Sequence, residues 1–143
     1  MKIVRKVLWY SFLSIPVMVL LVILFWRPIV GFFLHDLPFM GETFSKPKWD
    51  NALKCSSTTE CMDVEMACVR GPMFSDLKRN HLTSGTSKGS VERLLGTAHP
   101  DRHDPSCVVY ELGMCSGFKI DYDWLHICFD PNEKIRSVNH YQG

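Results

Sequence analysis

From Val7 to Phe25 the chain runs nineteen residues without a charged side chain, rich in Leu, Val and Ile. At about 1.5 Å per residue such a helix spans the ~30 Å hydrocarbon core of a bilayer. Pro16 lies inside the run, where a membrane helix tolerates a kink. Trp9 and Tyr10 mark one end and Trp26 the other, in the manner of interfacial aromatic belts. Lys2, Arg5 and Lys6 precede the run and only Arg27 follows it closely, a bias that keeps the N-terminus cytoplasmic and sends the remainder across. A cleaved signal peptide needs a shorter apolar region and a small-residue cleavage site, and the segment RPIVGFFLHDL offers none. A lipoprotein needs a Cys just after the run, and the first is Cys55. Residues 1–34 therefore read as a cytoplasmic stub and uncleaved transmembrane anchor.

Every acidic residue lies at or after Asp36. Fifteen acidic residues there face twelve Lys and Arg, so the exported part carries a net charge of −3. A weakly acidic domain lacks the basic footprint of a nucleic-acid binder.

Six cysteines follow the anchor: Cys55, Cys61, Cys68, Cys107, Cys115 and Cys128. An even number in a small exported domain points to disulfides. Three lie before residue 70 and three after 106, so complete pairing requires at least one bridge between the clusters. Their spacings are not those of zinc sites. The segment HPDRHDPSC gathers His99, Asp101, His103, Asp104 and Cys107, but Pro100 and Pro105 give it the character of a solvated polar loop.

Residues 35–69 read as a linker and a Cys-rich insertion. HDLPFMGETFSKPKWD is a strap with Phe44 and Trp49 as its anchors, and one helical turn is expected near Asp63 to Ala67. From residue 70 onward the pattern becomes regular. Gly71-Pro72 suits a helix start, and Phe74, Leu77 and His81 share one helical face. Gly85 turns the chain, Ser87 is an N-cap, Val91, Leu94 and Leu95 form an apolar face, and Gly96 stops the helix. CVVYELG and DYDWLHICFD alternate as strands, DPNEK is a turn, and IRSVNHY is a third strand. The expectation for 70–143 is a two-layer α+β domain, ααβββ, with two helices on a three-stranded antiparallel sheet.

Matching the apolar faces of strands 107–112 and 123–129 sets Tyr110 opposite Leu125 and Val108 opposite Ile127. Cys107 then opposes Cys128, Cys115 is left to reach Cys68, and Cys55 closes a small loop with Cys61. A slip of register would instead bring Cys107 toward Cys115. By alternation Trp124 and His126 point to the face away from the helices, as partner-binding candidates. The competing reading has the strap or the Cys-rich insertion cover Trp124.

Chemistry is thinly represented. His126 and Cys128 share a strand face, and Asp121 and Asp123 flank Tyr122, but no phosphate-binding loop or nucleophile elbow occurs. In an oxidising compartment Cys128 is more often bridged than nucleophilic. No catalytic residue, metal or cofactor is expected.

The segment Gly85-Thr86-Ser87-Lys88-Gly89-Ser90-Val91-Glu92-Arg93-Leu94-Leu95-Gly96 resembles the helix signature of the small bacterial envelope proteins of the SmpA/OmlA (BamE-like) type. Arg70 to Leu77 resembles the preceding helix, and Tyr110 to Gly113 with Asp123 to Asp130 resembles the first two strands. The resemblance covers residues 70–141. It implies an ααβββ fold, a non-catalytic scaffold or binding role, and a protein partner in the periplasm or envelope. With the anchor, it places the protein in a bacterial inner membrane by a single pass, its C-terminal domain in the periplasm. Thr86 and Gly89 depart from the family pattern, and a membrane span replaces the lipoprotein Cys, so the barrel-assembly role does not carry over. An immunity protein against a periplasm-acting toxin is the alternative, and a small metal protein or hydrolase the third reading.

Overall fold

The computed structural model describes the backbone of residues 2–143 and the side chains of residues 15–143 except Glu65. The N-terminal part of the expected span, beginning at Val7, has side chains outside the described residues. Helix α1 runs Lys2–Gly31 and includes Pro16 and Pro28. Residues Ile15–Phe39 are long and apolar enough to cross a membrane, with a mean hydropathy of 2.4 and none of that window buried. A π turn, Phe32–Asp36, and a 3-10 turn, Leu37–Phe39, follow. By internal packing the chain divides into residues 1–33 and 34–143.

Within the second unit, α2 is Lys46–Asn51 and α3 is Thr58–Glu65. Ser57 caps α3 by accepting from the Glu60 amide, which starts the helix ahead of the single turn expected near Asp63. Residues 71–81 form one helical stretch, α4, in three parts: a 3-10 turn Gly71–Met73, an α turn Phe74–Asp76 and a π turn Leu77–His81. Pro72 opens it, where a missing N–H costs nothing. Helix α5, Lys88–Leu95, starts at Ser87, whose side chain accepts from the Ser90 amide, and ends at Gly96 with φ 87°. That positive φ is the reason for glycine at this stop.

The sheet has four strands rather than three, β1 His99–Pro100, β2 Cys107–Gly113, β3 Asp123–Phe129 and β4 Ile135–Gln142, in the order β1-β2-β3-β4 and antiparallel throughout. The additional strand comes from the segment expected to be loop. The Asp101 Oδ1 accepts from the His103 and Asp104 amides at 2.7 and 2.9 Å, and this turn brings His99 and Pro100 back beside Val109 and Val108. Pro100 is tolerated because β1 is an edge, where no ladder donor is required. The helix count also differs, since α2 and α3 precede the expected pair.

Val108 opposes Ile127 and Tyr110 opposes Leu125, the register that matching apolar faces requires. The inner face of the sheet contributes Tyr110, Leu112, Leu125, Ile127, Phe129, Ile135 and Val138 to the core. Met73, Phe74, Leu77, Val91 and Leu95 face them from the helices. The strap joins this same core. Phe39 packs on Phe74 and His140, and Trp49 is fully buried beside Tyr110, its Nε1 donating to the Leu95 carbonyl at 3.0 Å. Arg70 closes the site, its guanidinium 4.3 Å over the Trp49 ring and donating to the Trp49 carbonyl at 2.9 and 3.0 Å.

Three disulfides join Cys55 to Cys61, Cys68 to Cys115 and Cys107 to Cys128, with Cα separations of 5.0, 4.6 and 4.0 Å. The Cys68–Cys115 bridge ties the Cys-rich insertion to the end of β2. Close packing there needs two glycines. A Cβ on Gly71 would meet the sulfurs of Cys115 and Cys68 at 2.2 and 2.6 Å, and one on Gly113 would meet the Ala67 carbonyl at 2.1 Å.

Candidate binding face

The alternation that turns Leu125 and Ile127 into the core turns Trp124, His126 and Cys128 to the opposite face of β3. Register with β4 sets Tyr141 opposite Trp124 and Asn139 opposite His126. On the β2 side, Glu111 opposes Trp124 and Val109 opposes His126. The result is a mixed aromatic and polar surface built on three rigid strands.

Trp124 is half-buried. Its indole Nε1 donates to the Gly143 carbonyl at 3.1 Å, and its ring neighbours Tyr122 at 6.3 Å. The strap lies on the other side of the sheet, where Trp49 and not Trp124 is the tryptophan it buries. His126 stands edge to face with Tyr141 at 5.6 Å, and its Nε2 lies 3.2 Å from the Asp101 Oδ2. The Asp101 carboxyl sits below its ordinary range because it accepts from the Asp104 and His103 amides, with His126 adding to the effect. Desolvation raises the Tyr141 phenol. Asp101 thus performs two tasks, turning the 101–104 loop and holding the His126 ring. Neither this pairing nor the contribution of Tyr141 follows from the alternation of β3 alone. Extending the register through the 130–134 turn to IRSVNHY would have found Tyr141.

The remaining sequence candidates separate. His99 and His103 are exposed, and Asp104 accepts from the Ser106 amide and hydroxyl at 2.9 and 2.6 Å, so HPDRHDPSC does not converge on one point. Cys107, His126 and Cys128 do bring their donor atoms within 4.8 Å of one another. Both sulfurs are committed to the disulfide, however, which leaves one imidazole for a metal. Asp121 and Asp123 are not a carboxylate pair. Asp121 is exposed, while Asp123 is fully buried and accepts from the Cys115 amide at 2.8 Å, the Ser116 amide at 2.7 Å and the Ser116 hydroxyl at 2.6 Å. Three donors aimed at one buried carboxylate make it the organiser of the 114–122 loop.

A shallow groove of about 430 Å³ lies between the end of α5 and the β1–β2 edge, lined by Lys88, Glu92, Thr97, Ala98, Pro100 and Val108. It collects no nucleophile and no converging acid–base pair. Comparison of the chain with known protein families, characterised proteins and solved structures finds no match.

Proposed function

We propose that this protein is a membrane-anchored, non-catalytic binding module whose disulfide-stabilised domain acts in the bacterial periplasm and engages a protein partner through the outer face of its sheet. The observation that carries the reading is the juxtaposition of Trp124, His126 and Tyr141 on a face that the strap leaves uncovered. Half-exposed aromatics on rigid strands supply contact area at little entropic cost, the usual make-up of a binding hot spot. The exposed apolar helix supports anchoring in a membrane. The three disulfides support an oxidising compartment. Apart from the short β1 between α5 and β2, the elements run α4, α5, β2, β3, β4, and on that order we retain the resemblance to SmpA/OmlA-type domains as part of the proposal.

The test is site-specific photocrosslinking in cells, with the crosslinker at Asn139 or Tyr141, both exposed on the sheet face, and at Arg79 on α4 as the control. A discrete protein adduct from the sheet positions, absent at Arg79 and lost with Trp124→Ala, is the expected result. Equal or no crosslinking at all three positions would reject the face. Alkaline phosphatase fused after Gly143 should be active if the domain is exported.

A further inference from the structure

Cys107 and Cys128 face one another across the β2–β3 ladder, and the strands hold them there with or without the bond between them. On one side of the pair the Phe129 amide donates to the Ser106 carbonyl at 2.9 Å, and on the other Val108 opposes the fully buried Ile127. Opening the bridge therefore leaves two thiols side by side. A third donor already stands next to them. His126 lies two residues before Cys128 on the same strand face, and its Nδ1 and Nε2 are 3.8 and 3.7 Å from the Cys128 Sγ. One donor atom from each of the three residues falls within 4.8 Å of the other two. Among the described residues, neither of the other two bridges gathers such a third donor.

The spacing suits a tetrahedral zinc site. Sulfurs about 2.3 Å and a ring nitrogen about 2.0–2.1 Å from a common centre stand about 3.8 Å apart for S···S and about 3.6 Å for S···N. The imidazole is already close to that separation from Cys128, and the two sulfurs reach theirs by side-chain rotation once the bond is broken. The ring is also oriented as a ligand. Asp101 gives Oδ1 to the His103 and Asp104 amides and sets Oδ2 3.2 Å from the His126 Nε2. A carboxylate there favours the proton on Nε2 and leaves the lone pair on Nδ1, the way a metal-bound histidine is held by its outer neighbour. Two thiolates and an imidazole suit Zn²⁺ and disfavour hard cations such as Mg²⁺ and Ca²⁺.

We propose that Cys107, Cys128 and His126 form a redox-gated zinc site, closed while the disulfide stands and opened by a dithiol reductant. The inference goes beyond the partner-binding reading and does not rest on it. A thiolate of the reductant attacks Sγ of Cys128, the less buried residue of the pair. The bond to Cys107 breaks and Cys107 leaves as a thiolate. The reductant's second thiol then displaces Cys128 from the mixed disulfide and closes the reductant's own disulfide, so that two electrons and two protons pass to the cysteine pair. Zn²⁺ takes the place of the two thiol protons, with the His126 Nδ1 as third ligand and a water in the fourth position.

The test uses the full chain in detergent, reduced with dithiothreitol that is then removed without oxygen, with Co²⁺ as the spectroscopic probe and Zn²⁺ as its competitor. The oxidised chain should give no thiolate–cobalt absorption, and the reduced chain should give the spectrum of a tetrahedral site that Zn²⁺ bleaches. Asp101→Asn should weaken binding by about 10- to 100-fold, and His126→Gln, which keeps every cysteine, by more than that. Equal binding by the oxidised chain overturns the gate. A spectrum unchanged by His126→Gln overturns the site, as does no spectrum from a reduced chain that pulse proteolysis finds folded. Cys107→Ser opens the same bridge and leaves the other two closed, so it carries the test if full reduction unfolds the chain. It should bind Co²⁺ through one sulfur and the imidazole, and adding His126→Gln should weaken that binding at least about 10-fold. Equal binding by the single and double variants, or none by either, overturns the site.

Discussion

Removing the Cys68–Cys115 bridge should destabilise this protein more than removing either of the other two. A disulfide acts largely by restricting the unfolded chain, and its contribution grows with the logarithm of the loop it closes. The three bridges close 6, 47 and 21 residues for Cys55–Cys61, Cys68–Cys115 and Cys107–Cys128 respectively. The chain-entropy relation gives about 2 kcal/mol for the first, about 4 for the second and about 3 for the third at 25 °C. A small domain has roughly 5–15 kcal/mol in total, so the long bridge alone supplies a substantial fraction. The perturbation is Cys68→Ala with Cys115→Ala, compared with the matching Cys55 and Cys61 double variant. Resistance to pulse proteolysis in a urea series, on the full chain in detergent, reads the unfolding midpoint. With a urea dependence of ~1–2 kcal/mol per M, loss of the long bridge should lower that midpoint by about 2–4 M and loss of the short one by about half as much. An equal or smaller shift for the long bridge would refute the loop-entropy argument and imply that residues 68 and 115 remain near one another in the unfolded chain.

Asp123→Asn places an amide donor among three donors, so it should cost roughly 1–3 kcal/mol in the same proteolysis assay without altering the fold of β4. Gly113→Ala should cost roughly 3 kcal/mol or more, since φ 98° and the Ala67 carbonyl both exclude a Cβ; Gly89→Ala, with only Arg93 Nη1 at 3.7 Å, should gain up to ~1 kcal/mol. Thermal denaturation of the two alanine variants should move in opposite directions. Burial holds His140 below its usual histidine value, against the opposing pull of Asp123 and Asp36. The unfolded chain therefore takes up the proton first, and stability should fall as pH drops below about 6.5, a slope that His140→Gln should flatten. Asp76, Asp101 and Asp104 are held low by hydrogen bonds, Asp76 chiefly through the Phe44 amide, so a further loss should set in as pH falls below about 4.

Much of the core was legible because period and polarity agreed. Val91 and Leu95 are buried at helical spacing, and Leu125 and Ile127 at strand spacing, each bounded by a cap, a glycine or a turn. The register of β2 and β3 followed from one condition, that the apolar faces coincide, and the opposition of Cys107 and Cys128 came with it. Edge strand β1 was illegible because it is two residues long and owes its place to Asp101, a polar side chain whose backbone contacts leave no mark on hydrophobic patterning. The role of Asp123 was hidden for a related reason. A carboxylate between Tyr122 and Trp124 looks like a solvated strand end until the amides that converge on it are located. On the candidate face, alternation gave Trp124 and His126, but the hold of Asp101 on His126 joins residues 25 positions apart and is tertiary in origin.

The strap has a consequence for reach. Sixteen residues of free coil between an anchor and a domain would let the domain wander by an r.m.s. distance of about 22 Å. Residues 35–50 allow no such excursion, because Phe39 and Trp49 are built into the core and the Phe44 amide is held by Asp76. The strap is part of the folded unit and not a spacer. Cutting the chain at residue 50 would therefore remove part of the core and not trim a linker, so a fragment meant to carry the whole fold has to begin near residue 34.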